Sequence, residues 1–283
     1  LNIISHGSKP NVRPSVLHTA IRLTPNATYN ASQVNRTYSE IMSLGYFKNA
    51  RIAFEEEGRG VNDSIAVNYA GEGREAYSPR KFEDIKEGYL KCYIMASPTL
   101  KHGINLELEG STTSSFYGLS ATVGYQNRNL FKGVEMLNTA VTFGYEYMKA
   151  QHIQRRRANE LGVTVGLSFP RFILPFNLST RNINMPRTKV ELSYNYQDRP
   201  YYRRDLSRAT WTYSWRSMNG RYNYQLRPID INWINVGYID ENFFASLQNE
   251  YLRQSYLTQA IVGLSGSYTY NNQNKNVGGN ATL

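Results

Sequence analysis

Residues 102–133, HGINLELEGSTTSSFYGLSATVGYQNRNLFKG, decide the fold. They hold two strand-like runs, joined by a short Ser/Thr link and closed by a polar turn. In the second run Tyr117, Leu119, Ala121, Val123 and Tyr125 fall on one face, with Gly118, Ser120, Thr122, Gly124 and Gln126 on the other. Side chains alternate across a strand, so this pattern predicts a β-strand with one apolar face. The first run repeats it, with Ile104, Leu106 and Leu108 against Asn105, Glu107 and Glu109. Upstream the chain mixes helix and strand. Downstream almost every segment alternates in the same way.

Six further runs follow, near 137–147, 161–169, 190–197, 209–216, 221–233 and 262–271; the fifth slips register near Pro228. Several reach the roughly 9 to 11 residues that a tilted membrane strand needs. Alternation alone suits a soluble sandwich as well as a barrel. The second face tips the balance, being almost wholly Gly, Ser, Thr, Asn, Gln, Glu and Arg, as expected of a wet lumen behind an apolar exterior. The fold expected is therefore an antiparallel membrane β-barrel. The links near 150–158 and 237–258 are longer than the turn-like ones at 127–133 and 217–220, while 170–186 breaks that scheme. Within 240–258, Phe244, Leu247, Tyr251 and Leu252 fall at helical spacing.

Composition fits this expectation. At 283 residues the chain has room for one large domain or two smaller ones. A mean hydropathy of −0.53 does not exclude a barrel, because half of every strand faces the lumen. No run approaches the roughly 18 apolar residues of a spanning helix. The 23 Tyr suit sheet packing or interfacial girdles. The net charge of +10 is scattered and accompanies no nucleic-acid motif, so nucleic acid is not an expected partner. Arg155, Arg156 and Arg157 read as a solvated loop, with contact to anionic lipid headgroups as the sharper alternative. Cys92 stands alone, without a partner for a disulfide or a metal site.

Residues 1–100 read as a small α/β module. A short helix is expected over 14–21, with Pro near its first turn. For a second helix Asn30 supplies the N-cap with Gln33 at the third position. Val34, Tyr38, Ile41 and Met42 make its apolar face, and Gly45 closes it in a left-handed conformation. Strands are expected over 46–54 and 89–96, separated by a glycine- and charge-rich insertion at 55–88.

The residues Leu44, Gly45, Tyr46 and Phe47, behind an amphipathic helix, resemble the end of a POTRA domain, with Phe47 expected beneath the sheet. Asn129, Leu130, Phe131 and Gly133 resemble the NLFG-like turn between the second and third barrel strands of the BamA/TamA superfamily (bacterial surface antigen family), with Lys132 intervening. Phe169-Pro170 and the segment 187–200 resemble the same branch. The resemblance implies a last POTRA domain at 1–100 and the N-terminal part of a transmembrane barrel at 101–283. Family barrels have sixteen strands and a late RGF or RGY motif. Eight strands and no such motif are found here, so the expectation is a sequence that stops near the middle of the barrel. A complete eight-stranded barrel is the alternative.

No catalytic constellation can be assembled. His6, His18, His102 and His152 have no metal-pair spacing, and no GxSxG elbow or phosphate loop occurs, so neither an enzyme nor a cofactor is expected. The resemblance implies an outer-membrane assembly or insertion factor with its N-terminal domain in the periplasm. Its partners would be unfolded outer-membrane proteins or other secreted substrates, assembly subunits and outer-membrane lipid. The lateral seam would lie at Gly103, Ile104, Asn105, Leu106, Glu107, Leu108, Glu109 and Gly110, where an incoming strand could add by backbone hydrogen bonding. A secretion or transport pore of the same superfamily is the alternative.

Overall fold

The computed structural model describes residues 4, 11–56, 89–149, 156–175, 183–217 and 219–271. The chain forms two compact units, one of residues 14–99 and one of residues 1–13 with 100–283.

The smaller unit holds helices α1 (Pro14–Ala20) and α2 (Ala31–Ser43) and strands β1 (Phe47–Glu56) and β2 (Leu90–Pro98). Helix α2 starts where the side chain of Asn30 accepts the N–H groups of Ser32 and Gln33, satisfying donors the first turn leaves free. It ends ahead of Gly45, whose φ of 71° is cheap only for glycine. Val34 and Ile41 are buried as the periodicity requires, but Tyr38 is exposed and its place is taken by Thr37 and Glu40. A tertiary contact overrides the local pattern. The Thr37 hydroxyl accepts the Arg22 N–H at 3.0 Å, and Glu40 binds Arg22 Nε at 2.8 Å and Arg36 Nε at 3.0 Å. The two strands pair antiparallel, with buried Ile52 opposite Ile94 and Phe54 opposite Cys92. Desolvation pushes the Cys92 thiol above its ordinary value, which slows its reaction at neutral pH. Within the predicted insertion, Glu55 and Glu56 belong to β1; the rest lies outside the described residues.

The larger unit is an eight-stranded antiparallel sheet of β3 (His102–Thr112), β4 (Phe116–Asn127), β5 (Met136–Met148), β6 (Arg157–Phe169), β7 (Asn184–Asp198), β8 (Tyr202–Arg216), β9 (Tyr222–Ile239) and β10 (Gln259–Tyr270). Each strand pairs with its sequence neighbour, giving the order β10-β9-β8-β7-β6-β5-β4-β3. The sheet is open, with β3 and β10 at its edges. All eight predicted strands are present. The expected helical stretch in the β9–β10 link forms two short helices, α3 (Glu241–Ser246) and α4 (Glu250–Gln254), capped by Asp240 and Asn249. No helix among the described residues is long and apolar enough to cross a membrane.

The faces are distributed in reverse of a soluble core. Register aligns Ile104, Tyr125, Thr139, Val165, Leu192, Ala209, Ile231 and Val262 in one row across all eight strands. On this side Leu119, Phe143, Leu192 and Trp233 are exposed. The opposite side is the more enclosed one, with Thr122, Thr142 and Ser193 partly covered and Gly124 and Thr210 buried. It is also concave. Gly103, Gly124, Asn138, Gly166 and Glu191, from five successive strands, line one trough of about 440 Å³. Exposed apolar rows of this extent are rare on water-facing proteins.

Replacing Glu40 with Ala removes the carboxylate shared by two largely buried guanidinium groups, a loss expected to cost the smaller unit about 3 kcal/mol. Amide exchange across α2 in the intact chain measures it; unaltered protection would show that the triad contributes nothing.

Candidate functional site

The site singled out by the sequence is the edge strand β3. Gly103 to Gly110 all lie within it, and it extends one residue before and two beyond that run. Ile104, Leu106 and Leu108 are 79%, 67% and 71% exposed, more open than their neighbours on β4. On the other face Asn105, Glu107 and Glu109 stand opposite Gly124, Thr122 and Ser120. Gly124 has a packing role: a Cβ there would meet the Asn105 side-chain amide. Since one edge of β3 pairs with β4 and the other has no strand partner among the described residues, its free N–H and C=O groups form a hydrogen-bonding template. The chemistry on offer is strand addition.

The base of β3 is held by the turn that the sequence also singled out. Asn129 is buried and works in both directions: its Oδ1 accepts the Val134 N–H at 3.0 Å, and its Nδ2 donates to the Asn11 carbonyl at 2.7 Å. The Asn129 N–H in turn donates to Asn127 Oδ1 at 3.1 Å. Leu130 is partly covered, with its N–H donating to the Glu135 carbonyl, and Phe131 is exposed. Left-handed backbone falls at Lys132 (φ 63°) and Val134 (φ 60°), not at Gly133. Gly133 is required for another reason. A Cβ there would run into the Glu135 carboxylate, which accepts the Gly133 N–H at 2.8 Å. A β-branched residue at positive φ is a strained conformation, and it persists here because Val134 is buried within this network. Glu135 is almost fully buried and was not singled out by sequence; its place two residues after Gly133 was the only available signal.

In the smaller unit Leu44 is buried and Gly45 makes the sharp turn. The expectation for the next pair is corrected. Tyr46 is the buried residue, its carbonyl accepting the Thr99 N–H at 2.8 Å, while Phe47 is half-buried and packs edge-on against the Tyr46 ring. The strand starts at Phe47, so alternation turns only one of the two aromatics fully inward.

Charged groups gather on the concave face. Arg208 grips Asp230 with two nitrogens at 3.1 and 2.9 Å, and Arg227 binds the same carboxylate at 3.0 Å. Arg199 reaches Glu146 at 3.2 Å, and Lys189 pairs with Glu191. Among the described residues no group of His, Cys, Asp and Glu is placed to hold a metal ion. No protein-family model matches the chain, and neither does any curated protein.

Asn129→Ala would leave the Val134 N–H and the Asn11 carbonyl without partners and should cost about 3 kcal/mol. Asn129→Asp keeps the acceptor and loses the donor, so its denaturation midpoint should fall between wild type and alanine. Equal midpoints for all three would remove the turn from the stability of the sheet.

Proposed function

We propose that the eight-stranded sheet is part of the wall of a transmembrane β-barrel in a bacterial outer membrane, and that the protein is an assembly or insertion factor of the BamA/TamA type. The single observation that carries this reading is the reversed distribution of faces: apolar rows that run across the eight strands and are exposed on every one except β8, with small, polar and ion-paired residues on the concave side. A lipid exterior and a wet lumen satisfy both faces together. The runs are also long enough, since β5 and β6 have 13 residues each and β7 and β8 have 15. Aromatics crowd one end of the apolar face, as an interfacial girdle requires. Trp215 stacks on Tyr224 at 5.3 Å and Tyr222 on Tyr268 at 5.5 Å.

The proposed action is physical. Unfolded outer-membrane proteins or other secreted substrates would meet the free edge of β3, and a substrate strand would add to it through main-chain hydrogen bonds. Once paired, the substrate's backbone polar groups are satisfied, a strict requirement in hydrocarbon, so its own folding free energy can drive the step without a nucleotide. On this reading the smaller unit is a POTRA-like module in the periplasm. It carries a second exposed strand, β2, on which Leu90, Tyr93 and Met95 are exposed.

Two measurements test the reading. Val141, mid-strand on the apolar face, lies in one row with Leu106, Val123 and Val163, whereas Thr142 faces the polar side and shares its hydroxyl with Thr122 at 3.0 Å. In lipid vesicles Val141→Arg should lower folding stability by about 2–4 kcal/mol, with little change for Thr142→Arg. Equal tolerance of the two would exclude the membrane wall.

A photo-crosslinker at Glu107 of β3 should capture a folding outer-membrane barrel protein, while the same group at Thr164 of β6 should not. A stable conducting pore with no capture at Glu107 would instead make the chain part of a secretion channel.

A further inference from the structure

We infer that residues 127–135 and the N-terminal residues 11–13 form a clasp that keeps strand β3 in register at its open end. The inference rests on the strand-addition reading for its purpose but not for its geometry. Strands β3 and β4 form a hairpin. At one end residues 113–115 join them directly, with the Thr113 N–H donating to the Phe116 carbonyl at 2.9 Å. The other end, at His102, has no covalent closure, and hairpins fray from their open ends. An edge strand frays more readily still, because only one of its sides is bonded.

Five hydrogen bonds close that end in a chain. The Arg13 N–H donates to the Lys132 carbonyl at 2.7 Å, and the Asn11 carbonyl accepts Asn129 Nδ2 at 2.7 Å. Val12, between them, is buried, as is Val134. The turn so braced presents Arg128, whose backbone N–H donates to the Lys101 carbonyl at 2.9 Å and whose Nη1 donates to the Leu100 carbonyl at 2.9 Å. Immediately after, His102 Nδ1 lies 2.7 Å from the Tyr125 hydroxyl on β4, with the two rings stacked. The line of support therefore runs from residues 11–13 to the turn, from the turn to Leu100 and Lys101, and from there into β3. Two positive-φ residues within a buried, hydrogen-bonded turn are a costly conformation, and such strain is found where geometry is being fixed for use. Residues 11–13 bond to the turn, and by this route they position β3.

Arg13 acts through its backbone N–H, so Arg13→Pro removes the contact while Arg13→Ala keeps it. Hydrogen exchange on the intact chain in lipid nanodiscs reads the effect along β3. In the wild type and in Arg13→Ala, amides of residues 103–106 should exchange no faster than those of 108–111. In Arg13→Pro and Arg128→Ala the 103–106 amides should exchange roughly tenfold faster, the worth of one charge-assisted or buried hydrogen bond, with 108–111 unchanged. Arg128→Lys, which keeps a donor towards Leu100, should recover part of the protection. Wild-type exchange at 103–106 in Arg13→Pro would overturn the clasp, as would a uniform rise along the whole strand. Crosslinking from Glu107 in the same variants separates the two readings: absence of substrate capture in every variant, with the exchange pattern as stated, would remove strand addition and leave the clasp in place.

Discussion

Register is the constraint on which the larger sheet depends. Side chains alternate with period two, so a slip of one residue along any strand pair would carry every apolar side chain to the polar face. In the first four strands the register runs without interruption, and the hydroxyl pair of Thr122 and Thr142 marks it on the polar side. Later pairs are interrupted, between Asn184 and Arg187 where β7 meets β8 and at two places between β8 and β9, and the one near Pro228 is accommodated locally. Trp211 pairs with Ile229 and Tyr213 with Leu226, so β9 carries one residue more than β8 between those pairs. The same surplus appears against β10, where Gly263 faces Asp230 and Ser265 faces Arg227. Pro228 lies within both interruptions. Having no N–H to donate, it is at home where the ladder is already broken. Across the bulge Arg227 and Arg208 converge on Asp230, so the bulge also brings two cations to one carboxylate on the polar face.

Alternation made the strands legible from sequence, including the slip near Pro228, because the apolar rows are not diluted by tertiary exceptions. Local chemistry made the helix ends legible too: Asn30 and Gly45 act through their own neighbours. What escaped was whatever depends on residues distant in sequence. Glu40 is buried because Arg22, eighteen positions earlier, supplies its charge, and no helical period contains that. Residues 11–13 reach the turn at 129–132 across more than a hundred positions. The irregular link after β6 has a similar cause. Thr188 is fully buried, accepting the Ile173 N–H and donating to the Arg171 carbonyl, and the Tyr213 hydroxyl donates to the Ile173 carbonyl. Phe172 meanwhile packs edge-on against Tyr213 and Trp215. The link is long in part because its first residues fold back on β7, into which it leads, and on β8 beyond it.

In the edge strand, the backbone was easier to anticipate than its support. The exposed alternation of Ile104, Leu106 and Leu108 follows from the sequence directly. That the turn at 127–135 depends on buried Asn129 and Glu135 does not, since both read as ordinary polar turn residues until their partners are placed.

The two edges of the sheet differ in a way that bears on what each can pair with. Strand β10, QAIVGLSGSYTY, carries no charged side chain, and its apolar face ends in Tyr268 and Tyr270, which pack against Tyr222. Strand β3 carries Glu107 and Glu109 on its polar face. If two copies met through β3 with mid-strand residues opposed, four carboxylates would be brought together, and like charges opposed across strands are unfavourable. An uncharged strand meets no such penalty. The acidic pair thus disfavours self-association of the edge while leaving its backbone available to neutral strands, the usual way in which an exposed edge is kept from pairing with its own kind. On the proposed reading this selectivity is useful as well as protective. Strands of outer-membrane proteins present apolar and small polar residues in alternation, and β3 would accept such a strand more readily than it would another β3.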